Sequence, residues 1–270
     1  MSNEYSDKID SMVWSYSRLS TFEQCKYSFY LKYIVEDESE YLPEGNYWAE
    51  VGSFMHEILE MIFKKEMNPE DAVEYFVEHY DDRVLYKTAK SIMKKTYDAC
   101  IDYLTSEDYW WIKECEILGV EQVVNLEIDG HKFTGYIDLL LRNKHTGDII
   151  LMDHKSATYP LSAKGDRVLK NHSKSFESYR KQMYLYCHAV KQLFGEYPRC
   201  IVWNHFKAGR MVKIEFDQTE YDATIRWFID TISAIKREQD YPETIDYFFC
   251  HNLCDFRNSC EYNKYSDKVE

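Results

Sequence analysis

Two acidic residues and a lysine occur in two segments whose patterns predict adjacent strands. Asp138 ends Gly135-Tyr136-Ile137-Asp138, and Asp153-His154-Lys155 follows the apolar run 149–152. Apolar and polar residues alternate before Asp138, and Thr146-Gly147-Asp148 supplies turn residues between the two segments. We therefore expect an antiparallel pair of strands that brings both acids to one place.

Side-chain alternation along a strand predicts how the second segment is arranged. Asp153 and Lys155 should share one face, whereas the His154 side chain should point away and offer only its backbone carbonyl. Paired carboxylates repel one another unless a hard divalent cation with oxygen ligands neutralises them, so Mg²⁺ or Mn²⁺ is the expected ion. Taken alone, an Asp-x-Lys tripeptide carries little weight, and strand-end acids beside a solvated lysine are the simpler alternative.

The composition predicts a globular chain with a strongly acidic balance. The 270 residues include 33 Lys and Arg against 47 Asp and Glu, and the net charge of −14 opposes non-specific attraction to a polyanion. The stretch 155–181 differs, because seven basic residues face only Asp166 and Glu177 there. This stretch is either a local path for a phosphate backbone or a solvated charge run. Its basic residues are Lys155, Lys164, Arg167, Lys170, Lys174, Arg180 and Lys181.

Membrane and secretion signals are missing from the pattern. No apolar run approaches the roughly 20 residues that span a bilayer. The segment 1–10 carries acids and serines rather than the basic and apolar regions of a secretory signal. We expect a cytoplasmic protein with no membrane partner.

Four of the eight cysteines have a spacing that suggests a metal site. Three are clustered as Cys250-x3-Cys254-x5-Cys260, and Cys25 lies near the other end of the chain. Disulfides are improbable in a reducing compartment, so three thiols with a fourth soft ligand fit an iron-sulfur cluster or a structural Zn²⁺. His251 competes with Cys25 as that ligand, and the spacing alone does not choose between iron and zinc. The other four (Cys100, Cys115, Cys187 and Cys200) are typical of small buried residues.

Hydrophobic periodicity predicts the elements that position these residues. Helices are expected over about 49–66, which contains His56, and over about 69–79, 83–105, 175–193 and 218–237. Strands are expected over about 115–128, 132–142, 148–155, 200–206 and 210–216. The predicted fold class is α/β, in the order helix, three antiparallel strands, helix, strand.

The ordered motifs resemble the RecB-like branch of the PD-(D/E)XK nucleases, particularly its iron-sulfur members such as the AddB nuclease domain and the CRISPR-associated exonucleases. The segment 15–30 resembles the family's opening segment with its first cluster cysteine, although Lys26 stands where the family usually has proline. Gly52-Ser53-Phe54-Met55-His56 resembles the helical histidine motif. The two acid-bearing segments and Gln182-x3-Tyr186 resemble the motifs that follow. The resemblance covers nearly the whole chain.

The resemblance implies a restriction-endonuclease-like core and a role for each matching residue. His56, Asp138 and Asp153, with the carbonyl of His154, would hold the catalytic Mg²⁺ or Mn²⁺, and Lys155 would be the catalytic lysine. Gln182 and Tyr186, one turn apart on a helix, would orient the substrate or the lysine. Glu121 falls where some members carry a further acid. Cys25, Cys250, Cys254 and Cys260 would hold a 4Fe-4S cluster, although three residues rather than the expected two separate the first pair of tail cysteines.

The function expected from these motifs is that of a metal-dependent DNA nuclease, acting as an exonuclease on single-stranded ends. A single nuclease domain, 1–270, would contain a catalytic core at 49–216, a helical insertion at about 67–106, and cluster-binding ends at 1–34 and 240–262. The chain has no P-loop, so a partner helicase or recombination protein would supply unwound DNA for repair or recombination. The alternatives are a catalytically weak binding or assembly subunit and a zinc-stapled nuclease acting on RNA.

Overall fold

The computed structural model describes residues 4–35, 45–106 and 110–262. The expected domain 1–270 therefore includes short segments (1–3, 36–44, 107–109 and 263–270) that lie outside the described residues. The chain divides into two compact units. Unit 1 contains residues 1–46, 125–134 and 222–270, and unit 2 contains residues 47–124 and 135–221. Among the described helices, none is both long enough and apolar enough to cross a bilayer.

A five-stranded mixed sheet carries the acid-bearing segments. Its strands are β1 (Cys115–Ile128), β2 (His131–Asn143), β3 (Ile149–His154), β4 (Cys200–His205) and β5 (Arg210–Glu215), in the order β1-β2-β3-β4-β5. β2 and β3 are antiparallel, with Leu139 opposite Met152, whereas β3 and β4 are parallel, with Leu151 opposite Ile201. β4 and β5 pair antiparallel.

The α/β class is confirmed, but the expected three-stranded antiparallel sheet is wrong. The chain between β3 and β4 contains a helix of 22 residues, α8 (Ser173–Phe194), which is the kind of crossover that a parallel strand pair requires. β4 therefore joins the same sheet. The short turn after β4 reverses the chain, so β5 pairs with the edge of β4 that faces away from β3. A left-handed Gly209 (φ 56°) ends that turn.

The helices follow the predicted pattern with shifted boundaries. They are α1 (Ser6–Ser11), α2 (Tyr16–Gln24), α3 (Lys26–Phe29), α4 (Tyr47–Phe63), α5 (Ala72–Arg83), α6 (Lys90–Ser106), α7 (Trp110–Glu114), α8, α9 (Gln218–Arg237) and α10 (Tyr247–Asn252). A π-helical turn spans Tyr30–Val35, and 3₁₀ turns span Pro69–Asp71, Lys170–His172 and Phe206–Ala208. The helix expected from residue 83 begins at Lys90, because Val84 leaves α5 and is fully buried.

The core of unit 2 forms where α4 meets the helical insertion and the sheet. Val51, Met55, Ile58 and Leu59 recur at helical spacing on α4 and are all buried, as the periodicity predicts. Phe54 stacks on Phe76 of α5, with ring centroids 5.4 Å apart. This packing fixes the rotation of α4 and therefore the direction in which His56 points.

In unit 1, the N-terminal segment adds to a sheet strand and the tail forms a short helix. The backbone of Trp14 bonds to Lys132 and Thr134 of β2, each at 2.8 Å. The segment that carries the three clustered cysteines contains α10. Asp246 Oδ1 caps the first turn of this helix by accepting a hydrogen bond from the backbone of Phe249 at 2.8 Å. Cys250 therefore lies on a helix rather than in a loop.

Candidate active site and cysteine cluster

Unit 2 brings a histidine and two acids within binding distance of one ion. His56, Glu121 and Asp138 each offer a ligand atom, and these atoms all lie within 4.8 Å of one another. His56 Nδ1 is 3.5 Å from Glu121 Oε1 and 3.6 Å from Asp138 Oδ2. Carboxylate oxygens are ligands that Mg²⁺ and Mn²⁺ both prefer, and imidazole nitrogen is a softer ligand that Mn²⁺ accepts more readily than Mg²⁺ does. The donor set therefore fits a divalent cation.

Each ligand is positioned by a different element. His56 projects from α4, and Asp138 stands in the middle of β2 rather than at its end. Glu121 lies inside β1 with a left-handed backbone, φ 45°, which is uncommon for a residue other than glycine. Such backbone strain concentrates at functional sites, where surrounding structure holds it. Here it accompanies a carboxylate that points at His56.

Crowded negative charge dominates the electrostatics of this group. Burial raises the pKa of Asp138 to about 7, and the neighbouring charge of Asp153 adds to the effect. Burial opposes the charge on His56, but the carboxylates of Glu121 and Asp138 outweigh it and raise the pKa of the imidazole to about 9. A positive charge is therefore strongly favoured at this position.

The Lys155 ammonium is held beside the ion-binding group. Its Nζ lies 3.0 Å from Asp153 Oδ1, where it donates a hydrogen bond, and 2.8 Å from Oδ2 in an ion pair. Nζ also donates to Gln182 Oε1 at 3.2 Å and lies 4.7 Å from the centre of the Tyr179 ring. Burial opposes the ammonium charge, but the carboxylates of Asp153 and Asp138 raise its pKa above the ordinary range.

Asp153 contacts Lys155, and His154 contacts the ion-binding group only through its backbone. Among the described residues, the group that could hold an ion does not include Asp153, whose carboxylate is engaged by Lys155. The backbone N–H of His154 donates to Asp138 Oδ2 at 2.7 Å, and its carbonyl accepts from His56 Nε2 at 2.9 Å. The buried His154 ring stacks on Phe63, with centroids 5.5 Å apart. The carbonyl thus faces the ion-binding group and the ring faces the core.

Gln182 and Tyr186 link α8 to both acid-bearing strands. Gln182 Nε2 donates to the Tyr186 hydroxyl at 3.4 Å, while its carbonyl oxygen holds Lys155. The Tyr186 ring lies directly over Gly135, where an added Cβ would be 2.6 Å from Cε1 of the ring. The glycine of the Gly-Tyr-Ile-Asp segment is therefore required by the close approach of this ring.

A second glycine allows a close approach on the other side. A Cβ at Gly52 on α4 would lie 3.2 Å from the hydroxyl of Ser156, one residue after Lys155. The histidine-bearing helix therefore runs against the segment that follows Lys155. The contact at Gly135 is with a ring carbon at 2.6 Å, whereas that at Gly52 is with a small side chain that can rotate.

Glu121 is the site residue to which the sequence alone assigned no definite role. Its segment contains several acids at irregular spacing, and nothing in their order distinguishes this one. The left-handed backbone that aims the side chain is not visible in the pattern of residue types. Gly119, two residues earlier, was the only local signal of an irregular strand.

The basic stretch 155–181 divides into exposed and paired cations. Residues 161 and 168 form an isolated antiparallel bridge, so this part of the stretch is a small hairpin. It carries exposed Lys164 and Arg167. Arg180 pairs with Glu220 at 3.0 Å. Of the aromatic residues in this region, Phe176 is buried against Trp203 and serves the core.

Unit 1 gathers the four cysteines of the predicted cluster around one cavity of about 20 Å³. Cys25 Sγ accepts from the backbone of Ser28 and of Thr244, each at 3.5 Å. Burial raises the pKa of the Cys254 thiol to about 11, and the three other thiols (Cys25, Cys250 and Cys260) add to the shift. The structure places Cys25, rather than His251, on the lining of this cavity.

The spacing of these sulfurs bears on which group they fit. Among the described residues, no three cysteine sulfurs lie within 4.8 Å of one another. Tetrahedral Zn²⁺ with bonds of about 2.3 Å requires sulfurs roughly 3.8 Å apart, whereas a multi-iron cluster separates its ligands further. The four thiols nevertheless line one cavity and could share a metal group. The remaining cysteines are buried singly, as expected.

Carboxylates on the sheet, a histidine on α4 and a lysine fixed at the end of β3 are together typical of metal-dependent nucleases. A sequence model of the PD-(D/E)XK nuclease superfamily matches residues 13–261, and the chain belongs to this superfamily. Nuclease and hydrolase activity with a divalent metal such as Mg²⁺ follows from that membership. The solved structures that are similar include the crystal structure of SSO0001, at 17% identity and a TM-score of 0.32, covering 79% of this chain and 94% of that one. A comparison with curated proteins gave no match.

Proposed function

We propose that the protein hydrolyses phosphodiester bonds in DNA, as an exonuclease that acts on single-stranded ends with Mg²⁺ or Mn²⁺. One observation carries the proposal: the ion-binding group of His56, Glu121 and Asp138 adjoins the Asp153–Lys155 pair. A binding or assembly subunit has no need of a half-buried lysine held by an acid and an amide beside three potential ligands. The arrangement therefore favours catalysis over binding alone.

The residues around the ion divide the chemical work. A bound divalent ion would polarise the phosphate and lower the pKa of its water. Lys155 is held by Asp153 and Gln182 so that its ammonium can position that water or stabilise charge developing on the phosphate. Because the Lys155 side chain is only 16% exposed, its attraction for a phosphate oxygen is stronger than in water. Asp153 would orient the lysine and, after a small movement, also bind the ion.

DNA with a free single-stranded end is the substrate that we infer from charge. The net charge of −14 repels long polyanions, so productive binding must be local. The exposed cations of the hairpin around Lys164 and Arg167 give one short track near the end of β3. A short track suits a single strand better than the two backbones of a duplex. A partner helicase would supply such strands.

The test compares substrates that differ by one property each. Single-stranded DNA labelled at either end, circular single-stranded DNA, duplex DNA and single-stranded RNA are incubated with Mg²⁺, Mn²⁺ or chelator. We expect linear DNA to be shortened from an end and circular DNA to survive, with Asp138→Asn inactive. Cleavage of circular DNA would indicate an endonuclease rather than an exonuclease. A preference for RNA would favour RNA as the substrate. Cleavage that survives chelator and Asp138→Asn would refute the proposal.

We propose further that Cys25, Cys250, Cys254 and Cys260 hold a 4Fe-4S cluster. Their convergence on one cavity supports a shared metal group, and the resemblance to the iron-sulfur members favours iron over zinc. Such a cluster would tie the 1–34 and 240–262 ends together and leave the core at 49–216, with its 67–106 insertion, to carry catalysis. Closing so long a loop stabilises the fold chiefly by restricting the unfolded chain. Anaerobic purification followed by iron and zinc analysis and visible absorbance decides between the metals.

A further inference from the structure

A second basic site lies in unit 2, outside the residues used so far. A cavity of about 300 Å³ opens between α6 and the turn that joins β4 to β5. Lys95 and Lys207 line it from opposite elements, and the backbone segment 157–159 forms another wall. Its volume far exceeds the roughly 30 Å³ that one water occupies in the liquid. The cavity therefore has room for a phosphate group.

The two lysines have no acidic counterpart in the part of the chain that the structure describes. Neither Lys95 nor Lys207 has a carboxylate oxygen within 4.0 Å, whereas Lys94, the neighbour on α6, pairs with Asp98 at 2.6 Å. Lys207 is partly buried, and desolvation lowers its pKa, with the charge of Lys95 adding to the effect. Exposed Lys95 and partly buried Lys207 thus concentrate positive charge at this cavity, which favours an anion there.

A third cation reinforces the positive potential at the wall. The Arg210 guanidinium lies 4.1 Å from the centre of the Tyr159 ring and donates to the carbonyl of Ala163 at 3.3 Å. Tyr159 lines the cavity. Positive groups thus approach this space from α6, from the turn after β4 and from β5.

The cavity is connected to the catalytic lysine through a short, fixed segment. The backbone of Lys155 donates to the carbonyl of Asn204 at 2.8 Å, and the carbonyl of Ala157 accepts from the His205 ring at 3.2 Å. The segment after Lys155 therefore follows the end of β4 towards Lys207. Three backbone steps separate Lys155 from Thr158, so their Cα atoms are at most about 11 Å apart. A nucleotide strand in the active site reaches that far within a few nucleotides.

We infer that Lys95 and Lys207 form a phosphate-binding subsite that holds a phosphate of the nucleic acid other than the one being cleaved. The inference rests on the proposed nuclease function and adds a residue pair to it. The phosphate is either the terminal phosphate of the strand or an internal one, because both present anionic oxygens to the two ammonium groups. The subsite would fix the position of the strand relative to Lys155.

The first experiment tests the cavity without any nuclease chemistry. Thermal unfolding of the metal-free protein is measured in inorganic phosphate against chloride at equal ionic strength, for wild type and for Lys207→Ala, Lys95→Ala and Lys94→Ala. Phosphate should raise the unfolding temperature of wild type and of Lys94→Ala, and this shift should be lost in the other two variants. Lys207→Gln, of similar length, serves as a second variant if Lys207→Ala folds poorly.

The second experiment measures binding of single-stranded oligonucleotides in chelator, where no turnover occurs. We expect Lys207→Ala and Lys95→Ala to bind about tenfold more weakly than Lys94→Ala, as for loss of one charge-assisted contact. The slope of log affinity against log salt should fall by about 0.7, the value for one phosphate on a single strand. If removal of the 5′ phosphate weakens wild type but not Lys207→Ala, the phosphate is terminal, and an equal effect on both makes it internal.

The outcomes separate this inference from the function on which it rests. Wild type that cleaves DNA while Lys95→Ala and Lys207→Ala match Lys94→Ala in both experiments would overturn the subsite alone. Wild type that responds to phosphate through Lys207 but cleaves no nucleic acid with any metal would overturn the proposed function instead.

Discussion

Replacement of Gly135 by alanine should destabilise the protein. At most strand positions the opposite holds, because glycine there lowers stability relative to alanine. An added Cβ would lie 2.6 Å from Cε1 of Tyr186 and 3.2 Å from its Cζ and hydroxyl. Carbon atoms prefer separations of about 3.5–4.0 Å, so the overlap is close to 1 Å. Tyr186 is 6% exposed and its ring is enclosed, so strand and helix must separate. Overpacking of this kind costs about 1–3 kcal/mol, offset by about 0.5 kcal/mol from a stiffer unfolded chain.

The assay is urea unfolding followed by circular dichroism, with Gly52→Ala as the matched control. At Gly52 the added Cβ meets only a serine hydroxyl at 3.2 Å, which can rotate away, and alanine favours the helix by about 0.5–1 kcal/mol. We therefore expect opposite signs: Gly135→Ala less stable by about 1–2 kcal/mol, and Gly52→Ala equal to wild type or slightly more stable.

A double-mutant cycle identifies the cause. Tyr186→Leu removes the ring atom that clashes, so alanine at position 135 should then fill space rather than overlap. The coupling energy should be about 1–3 kcal/mol and favourable. Gly135→Ala as stable as wild type, or equally damaging in both backgrounds, would refute the reasoning. Activity should fall with stability, because Tyr186 and Gln182 support Lys155.

Three further predictions concern the ion, the lysine and the thiols. Glu121→Gln should raise the Mg²⁺ concentration for half-maximal cleavage by at least about tenfold, since a charged ligand becomes neutral, and an unchanged titration would remove Glu121 from the site. Lys155→Met should reduce the cleavage rate by about 10²–10³ at unchanged circular dichroism, and Lys155→Arg should not restore it because a planar guanidinium cannot replace a compact ammonium. Cys254→Ala should yield colourless protein with little iron and a lower unfolding temperature, whereas wild-type thermal stability would contradict a structural cluster.

Most helices and strands could be predicted from the local sequence, because buried residues recur along each element with the period of a helix or a strand. β1 and α9 have the predicted boundaries, 115–128 and 218–237, and α4 is shifted by two to three residues at each end. In α9 and α4 the apolar stripe recurs with helical spacing, and in β1 an Asp129-Gly130 turn marks the end of the strand. The start of α6 was missed because buried Val84 continues the apolar pattern after the helix has ended.

Pairing between distant segments was harder to predict than the segments themselves. A strand of six residues after a helix can join a sheet in parallel or stand at an edge, and only the packed structure shows β4 beside β3. Lys95 and Lys207 likewise share a cavity although their sequence neighbours show nothing unusual. Such positions depend on tertiary contacts, which residue types and spacing do not record.

The charges of the candidate site explain why an ion and a lysine are both required. Glu121, Asp138 and Asp153 together carry three negative charges in a partly buried space, and Lys155 neutralises one of them. Without an ion, protons compensate the remainder: burial and the charge of Asp153 raise the pKa of Asp138, and the surrounding carboxylates raise that of His56. One divalent cation would supply the two missing positive charges without protons. The lysine alone cannot balance the three carboxylates, and an ion alone would leave one of them without a counter-charge.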